Sequence, residues 1–430
     1  MPNEGFPMNA LDEQEKEAPA PTSFFDEEGV KVERLPYGDG VPLGIRQACY
    51  PELGIGGAYG TWGEAFDNRS LPNWIEANLG EPLSEEDRMD LAPLGFLSRH
   101  HTQDLDDDQH RALEIEVGAR FLRAAAEANG WRPEEIEGVL IGSSGPVAAD
   151  YTAQIAGAAG IPERALKVSV HKACDSSVGA LHLLMNPRLP ANQRASVNIA
   201  EELRGKKVLV GGIEGLSRFI RLSRDRFAMQ IFGNGAGVIG LRPEEGTHFL
   251  AGRTHEVFDK AGVLEMRMYY PHSGNPDETG SLVEVSQAGD NHIRVAGRMH
   301  EPEGDIPVRM ASPVGMVKLF VRTGVEFVRD FYSNYVESAG TVGEAGKEFA
   351  TVIVHHANLK INQLKEKHLG REGLRLPLPW VMSEFGNVSA ASNMIAFLRQ
   401  LADLKAGDRI LIYGFGAGTY YDALAVELRK

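Results

Sequence analysis

The sequence predicts an α/β protein built of two similar halves, and three observations carry that reading. Up to Cys174 the hydrophobic pattern runs helix, strand, helix, strand, the alternation that builds a largely parallel sheet. Two glycine clusters echo one another, Phe232-Gly-Asn-Gly-Ala-Gly237 and Phe415-Gly-Ala-Gly418, each beside a late strand. Two loops that open helices also match in character, one at Cys174 and one at Asn387. A duplication of this kind places a site between facing halves.

The elements follow in order. Residues 1–35 mix acidic residues with Pro and Ala, show no period and read as a mobile tail. The first half then covers 36–246 and the second 247–430. Tyr37 to Gly63, rich in glycine and aromatics, reads as strand and loop, and Leu71 to Leu94 holds a short helix with a start at Ser84-Glu-Glu-Asp87. An Ala-rich amphipathic helix spans Asp106 to Asn129 and stops at Gly130. Strands follow at Gly138–Gly142 and through Val168 and Val170, with a helix near Ala153 to Ala159 between them. Beyond a polar insertion near 187–202 comes the strand Lys207–Gly212, and another long helix spans roughly Pro313 to Val336. Phe349–Val354 is a buried strand, a further strand lies near Trp380–Ser383, and the chain closes on a final strand after Gly418.

Composition excludes several classes. With 430 residues and 43% hydrophobic content the chain buries a large core. Its 44 basic and 60 acidic side chains give a net charge of −16, which argues against bulk nucleic-acid binding. Two cysteines, Cys49 and Cys174, fit reduced thiols, and no apolar run of membrane-spanning length or leader pattern occurs. A cytoplasmic protein is expected. His100, His101, His110 and the nearby aspartates 104–108 fit no closed metal site, so no metal is assigned. Neither glycine cluster has the full strand, G-x-G-x-x-G and helix context of a dinucleotide loop.

The chain is organised around Val168-Ser-Val-His-Lys-Ala-Cys-Asp-Ser-Ser-Val-Gly-Ala-Leu-His-Leu-Leu184. Cys174 stands where a strand turns into a helix. Unpaired N–H groups and the helix dipole there lower a thiol's pKa, so it reads as a reactive thiolate. A small buried hydrophobe is the other reading of the same residue.

In order, Ala173-Cys174, Glu214 within Gly212-Ile-Glu-Gly-Leu-Ser217, the Phe232 glycine run, His355 to Ile361, Gly386-Asn-Val-Ser-Ala-Ala-Ser392 and Gly414-Phe-Gly-Ala-Gly418 resemble the β-ketoacyl-acyl carrier protein synthase III branch of the thiolase superfamily. The resemblance covers about residues 38–430. It implies a thiolase-like fold, two duplicated βαβαβαββ-type halves in five layers, normally a homodimer. It also implies that Cys174 is the acylated nucleophile, with His355 and Asn387 as its catalytic partners. The backbone N–H groups of Cys174 and Ala417 would form an oxyanion hole. Trp74 resembles an adenine-stacking tryptophan, Arg99 a basic residue near the coenzyme A entrance, and Asn358 and Lys360 further substrate-binding positions. Strand alternation points His356 away from the site that His355 faces.

Acyl-CoA or acyl carrier protein thioesters are the implied substrates, with a malonyl-type thioester as the second, no permanently bound cofactor, and an acyl carrier protein as a candidate partner. Departures occur: His171-Lys-Ala-Cys174 replaces Asn-Ala-Ala-Cys, Asn234 replaces an aspartate, and Lys360 an arginine. Lys172 is either a charge that lowers the thiol's pKa or a solvated strand end. The expected reaction is decarboxylative Claisen condensation on acylated Cys174, in fatty-acid-like or specialised metabolism. The alternatives are plain acyl transfer to an alcohol or amine, and a non-catalytic thiolase-fold subunit.

Overall fold

The computed structural model describes residues 23–102, 105–259, 262–267, 281–310, 312–339, 345–417 and 420–429. Residues 1–22 of the expected tail, with Asp104 and Gly418, lie outside them. The rest of that tail is structured. Ser23 caps a short 3-10 turn, Phe24–Asp26, and Phe24 is fully buried with its ring centroid 4.9 Å from that of Phe385. β1 (Val30–Leu35) then pairs with β2 (Val41–Tyr50). The acidic, proline-rich average of 1–35 hid the Phe24-Phe25 pair and the alternating Val30, Val32 that make these contacts.

β3 (Ile55–Trp62) is followed by β4 (Glu64–Asp67), α1 (Leu71–Leu79) and β5 (Ser98–His101). Ser84 starts no helix: its hydroxyl bonds Asp87 at 2.7 Å in a turn, and Arg226 pairs with Asp87 at 2.6 Å. α2 (Asp107–Ala128) opens on a capping box in which Asp106 accepts the Gln109 N–H at 2.8 Å. β6 (Gly138–Gly142), α3 (Tyr151–Ala158), β7 (Leu166–His171) and α4 (Ser176–Met185) follow. The 187–202 insertion folds into α5 (Pro190–Arg194) and α6 (Ile199–Glu202). β8 (Val208–Glu214), α7 (Leu216–Ser223), α8 (Arg226–Ile231) and β9 (Gly235–Leu241) complete the first half.

The second half begins with β10 (Thr247–Glu256), β11 (Glu265–Met266), β12 (Val283–Gly289), β13 (His292–Gly297) and β14 (Val308–Arg309). α9 (Pro313–Ala339), β15 (Phe349–Val354), α10 (Leu359–Arg371), α11 (Ser392–Gln400), β16 (Arg409–Gly416) and β17 (Tyr420–Leu428) end it.

The duplication is visible in the sheets. The large sheet runs β1-β2-β3-β9-β8-β6-β7-β13-β12 and the small one β10-β17-β16-β15. The run β3-β9-β8-β6 repeats as β10-β17-β16-β15, with the same sense at every pairing: antiparallel, antiparallel, parallel. Helices α4 and α11 fill the space between the sheets, and every residue of both except Arg399 is buried. α2 and α3 cover the outer face of the large sheet, and α9, backed by α10, covers that of the small one. These are the five layers of a thiolase-like fold.

Two expectations about strands fail. Trp380–Ser383 carries no strand, because Pro377 and Pro379 in the approach remove the ladder donors a strand needs. The small sheet therefore lacks a counterpart of β7. The hairpin β12–β13, although it belongs to the second half in sequence, joins the large sheet: β13 lies parallel on β7, with Val295 opposite Val170. The edge of β7 is thus covered within the chain. Among the described residues no helix is long and apolar enough to cross a membrane.

Candidate active site

Cys174 sits in the elbow between β7 and α4. Ala173 takes a left-handed backbone (φ 49°), an uncommon conformation for a residue with a Cβ, and so turns the chain sharply off the strand. Ser176 locks the elbow by accepting the Lys172 N–H at 2.7 Å and donating to the Ala173 carbonyl at 2.6 Å. The small sheet meets this turn at Gly416: a Cβ there would stand 2.9 Å from the Cys174 nitrogen and 2.6 Å from the Lys172 carbonyl. Only glycine lets the end of β16 come this close.

The expected lowering of the thiol's pKa does not occur in the resting site. Cys174 is 8% exposed, and burial pushes its thiol up to about 12, against a hydrogen bond from Ser389 that favours the thiolate. Neither is Lys172 a solvated strand end, nor does its amino group neutralise the thiol. It is buried, pairs with Asp422 of β17, and lies 3.1 Å from Asp175. His182 of α4 bonds the other Asp422 oxygen at 2.6 Å. Burial alone would raise both carboxyls. At Asp422 the charge of Lys172 and the hydrogen bond from His182 outweigh it and hold the group below the usual range, whereas Asp175 stays well above it. Lys172, Asp175, Asp422 and His182 thus form one buried polar cluster that clamps the Cys174 elbow to the opposite half.

The two histidines differ in their partners. His356 is consumed by backbone, its Nδ1 on the Val354 carbonyl at 2.8 Å and its Nε2 accepting the Val381 N–H at 3.2 Å. His355 is bound at Nδ1 by Ser392 Oγ at 2.5 Å and stands edge-on to Phe415. Burial, then His356 and Lys365, hold its pKa well below the ordinary value, so the ring is neutral. Asn387 is 4% exposed, with Oδ1 accepting the Ser389 N–H at 2.9 Å and Nδ2 3.5 Å from the Ala357 carbonyl. Ser389, from the same turn, donates to Cys174 Sγ at 3.1 Å. The structure thereby brings the Cys174 turn and the Asn387 turn together at the sulfur.

Other expected site residues are placed elsewhere. Trp74 offers no face to an adenine: it is buried and stacked on His101, with ring centroids 4.0 Å apart and planes at 7°. Arg99 lies on β5, fully buried under the Gly386 turn and donating to Asn68 at 2.9 Å, so it cannot greet phosphates at a surface entrance. Burial pulls its guanidinium down to about 9. Asn358 caps α10, accepting the Ile361 N–H at 2.9 Å, and Lys360 is exposed in the first turn of that helix. Sequence reasoning passed over Ser144, Ser389 and Asp422. For Ser389 a signal existed, because it lies two residues from Asn387 in the quoted motif. For Asp422, mid-strand in an apolar run, a buried acid should itself have pointed to a cation.

Residues 343–428 match the family described as 3-oxoacyl-[acyl-carrier-protein] synthase III C terminal. A β-ketoacyl-[acyl-carrier-protein] synthase III of Streptomyces avermitilis is 30% identical over 231 residues, 51% of this chain and 59% of that protein. Its counterpart in Streptococcus pneumoniae is 27% identical over 230 residues, 52% and 60% of the two chains. The chain thus spans about six tenths of the length of the curated relatives it matches. Among solved structures, the 3-oxoacyl-(acyl carrier protein) synthase III of Pseudomonas aeruginosa superposes with a TM-score of 0.59 at 19% identity, over 89% of this chain and 98% of that one. The C-terminal type III polyketide synthase domain of Steely1 from Dictyostelium gives 0.61 at 14% identity, over 89% and 99%. At these identities the superpositions show a shared fold.

Proposed function

We propose that this chain, a β-ketoacyl-acyl carrier protein synthase III-like protein of the thiolase superfamily, is a condensing acyltransferase. The observation that carries the reading is the meeting of Cys174 and the Asn387–Ser389 turn, 3.1 Å apart at sulfur and hydroxyl, with a neutral His355 fixed at Nδ1. The Cys174 thiolate attacks an acyl thioester, and the carrier thiolate leaves with a proton. A malonyl-type thioester then loses carbon dioxide. Its enolate oxygen is stabilised by His355 Nε2–H and Asn387 Nδ2–H, and its carbon attacks the acyl group, returning Cys174 as thiolate. In the tautomer in which Ser392 donates to Nδ1, the ring proton sits on Nε2, where an oxyanion donor is needed. The N–H groups of Cys174 and Ala417 hold the acyl carbonyl oxygen.

The substrates are thioesters of coenzyme A or of an acyl carrier protein, the carrier printed in the relatives' names, and no cofactor is permanently bound. Reduced cysteines, exposed Cys49 and buried Cys174, accord with a cytoplasmic protein. A homodimer is part of the reading, but with β13 covering β7 it would join through a surface other than the edge of β7. The test is release of labelled carbon dioxide from a malonyl thioester, measured beside intact-mass acylation. Acylation and release together support condensation. Acyl passage to an alcohol or amine without release replaces it with plain acyl transfer, and neither reaction leaves a non-catalytic subunit.

A further inference from the structure

Behind the thiol runs a line of hydrogen-bonding groups that ends on a buried acid. Ser389 Oγ lies 3.1 Å from Cys174 Sγ and in hydrogen-bond contact with Ser144 Oγ, which is 2.6 Å from Glu214 Oε1. Ser144 follows β6, Glu214 ends β8, and Ser389 comes from the opposite half, so the line exists only in the folded molecule. Ser144 and Ser389 are each under one-tenth exposed, and Glu214 is fully buried. The same Glu214 oxygen also accepts the Ser144 N–H at 2.7 Å and the Ala390 N–H at 3.2 Å, which fix its position.

We propose that Glu214 receives the thiol proton of Cys174 through the hydroxyls of Ser389 and Ser144. The inference rests on Cys174 as the nucleophile. Three protons serve four groups, and two arrangements satisfy them all. In one, S–H donates to Ser389, Ser389 to Ser144, and Ser144 to the Glu214 carboxylate. In the other, each proton has moved one place, so Glu214 is the neutral acid and Ser389 donates to the thiolate. Each transfer breaks one S–H or O–H bond and forms one O–H bond, and no outside base is consumed.

Electrostatics favours this route over loss of the proton to water. An ionised thiol beside an ionised Glu214 would be two buried negative charges. Passing the proton along the chain keeps the site at one. Glu214 is a better acceptor than an ordinary carboxylate, since burial, against the bonds from Ser144 and Ala390, raises its pKa to about 7; that is still below the thiol's, so the thiolate arrangement is the minor, reactive one. The other titratable groups facing this line are Glu114 of α2 and Tyr151 of α3, beside Glu214, and Asp175, beside the thiol. Glu114, like Asp175, is pushed well above the usual carboxyl range and so adds no charge at neutral pH, and Arg218 of α7 faces it.

The role is a positioned proton acceptor acting through two hydroxyls, and the competing role is a structural clamp between halves. Alkylation of Cys174 by iodoacetamide separates them, because it reads thiolate without any thioester. In a Cys49→Ser background, adduct formation on the Cys174 peptide is followed by mass against pH. The expected profile has a thiolate step near neutral pH and a further rise in alkali. Glu214→Gln keeps the shape but not the acceptor. It is expected to lose the neutral step, slowing the reaction about tenfold for each unit by which the thiol's apparent pKa rises. Ser144→Ala, which leaves the carboxylate in place, lowers the same step, and Glu214→Asp restores part of it. If Glu214→Gln is not folded by its thermal melt, Ser144→Ala decides alone. An unchanged profile in a folded variant overturns the relay and leaves the clamp. A relay-dependent profile in a protein that no thioester acylates would instead sink the acyltransferase reading and keep the relay.

Discussion

Cys174 and Ser389 meet from opposite halves, each at a turn with a left-handed, non-glycine residue: Ala173 at φ 49° and Ser389 itself at φ 43°. Each turn opens a central helix, α4 or α11, buried between the sheets. Their supports differ. The Cys174 turn leaves a true strand, β7, held between β6 and β13. The Asn387 turn leaves a proline-broken segment and hangs on the other half: its Asn387 N–H donates to the Ile231 carbonyl at 2.7 Å and its Asn387 carbonyl accepts the Gly233 N–H at 3.2 Å. The Cys174 turn is therefore set by its own sheet, whereas the second turn is set by the half it faces. Of the two elbows, the second has no strand of its own behind it and leans on Ile231 and Gly233 of the facing half.

Substitutions at the two turns and behind them sharpen or break that comparison. The largest effect is expected at the first turn: Cys174→Ala should abolish acylation by any thioester, and Cys49→Ser should leave it intact, as read by intact mass. Label on Cys49 would remove Cys174 from the mechanism. Next, Asn387→Ala should still load acyl groups yet release carbon dioxide from a malonyl thioester about a hundredfold more slowly or worse, as for loss of one oxyanion donor. Equal losses in loading and release would mean that the second turn supports the first rather than serving a separate step.

Asp422→Ala tests the clamp behind the first turn. It strands buried Lys172 and is expected to cost about 3–5 kcal/mol in urea unfolding at neutral pH. The pH dependence has a definite sign. Asp422 is held below the ordinary Asp value, so its contribution is present above about pH 3.9 and fades as pH falls through the lower folded value. The gap between wild type and variant should therefore narrow toward acid, and a gap constant with pH would contradict the ion pair. The smallest effect is expected for His356→Ala, about 1–3 kcal/mol from orphaning the Val381 N–H and the Val354 carbonyl. A loss of carbon dioxide release larger than that of His355→Ala would reverse the assignment of the two rings.

Local pattern by itself determined much of this protein. Helix α2 was legible from its amphipathic pattern and its stop at Gly130, β6 from its apolar run, and the elbow at Cys174 from small residues between a strand and a helix. The duplication was legible because the glycine echoes mark the approach to the last strand of each half. These features depend on residues within a few positions of one another. What only the tertiary structure decided depends on partners far away in sequence. Trp74 is closed by His101, Lys172 is neutralised by Asp422 some 250 positions on, and β7 is covered by β13. The thiol is raised rather than lowered because burial, set by the facing half, outweighs the local helix terminus. Periodicity and capping are short-range, whereas desolvation and strand pairing are properties of whatever the fold brings alongside.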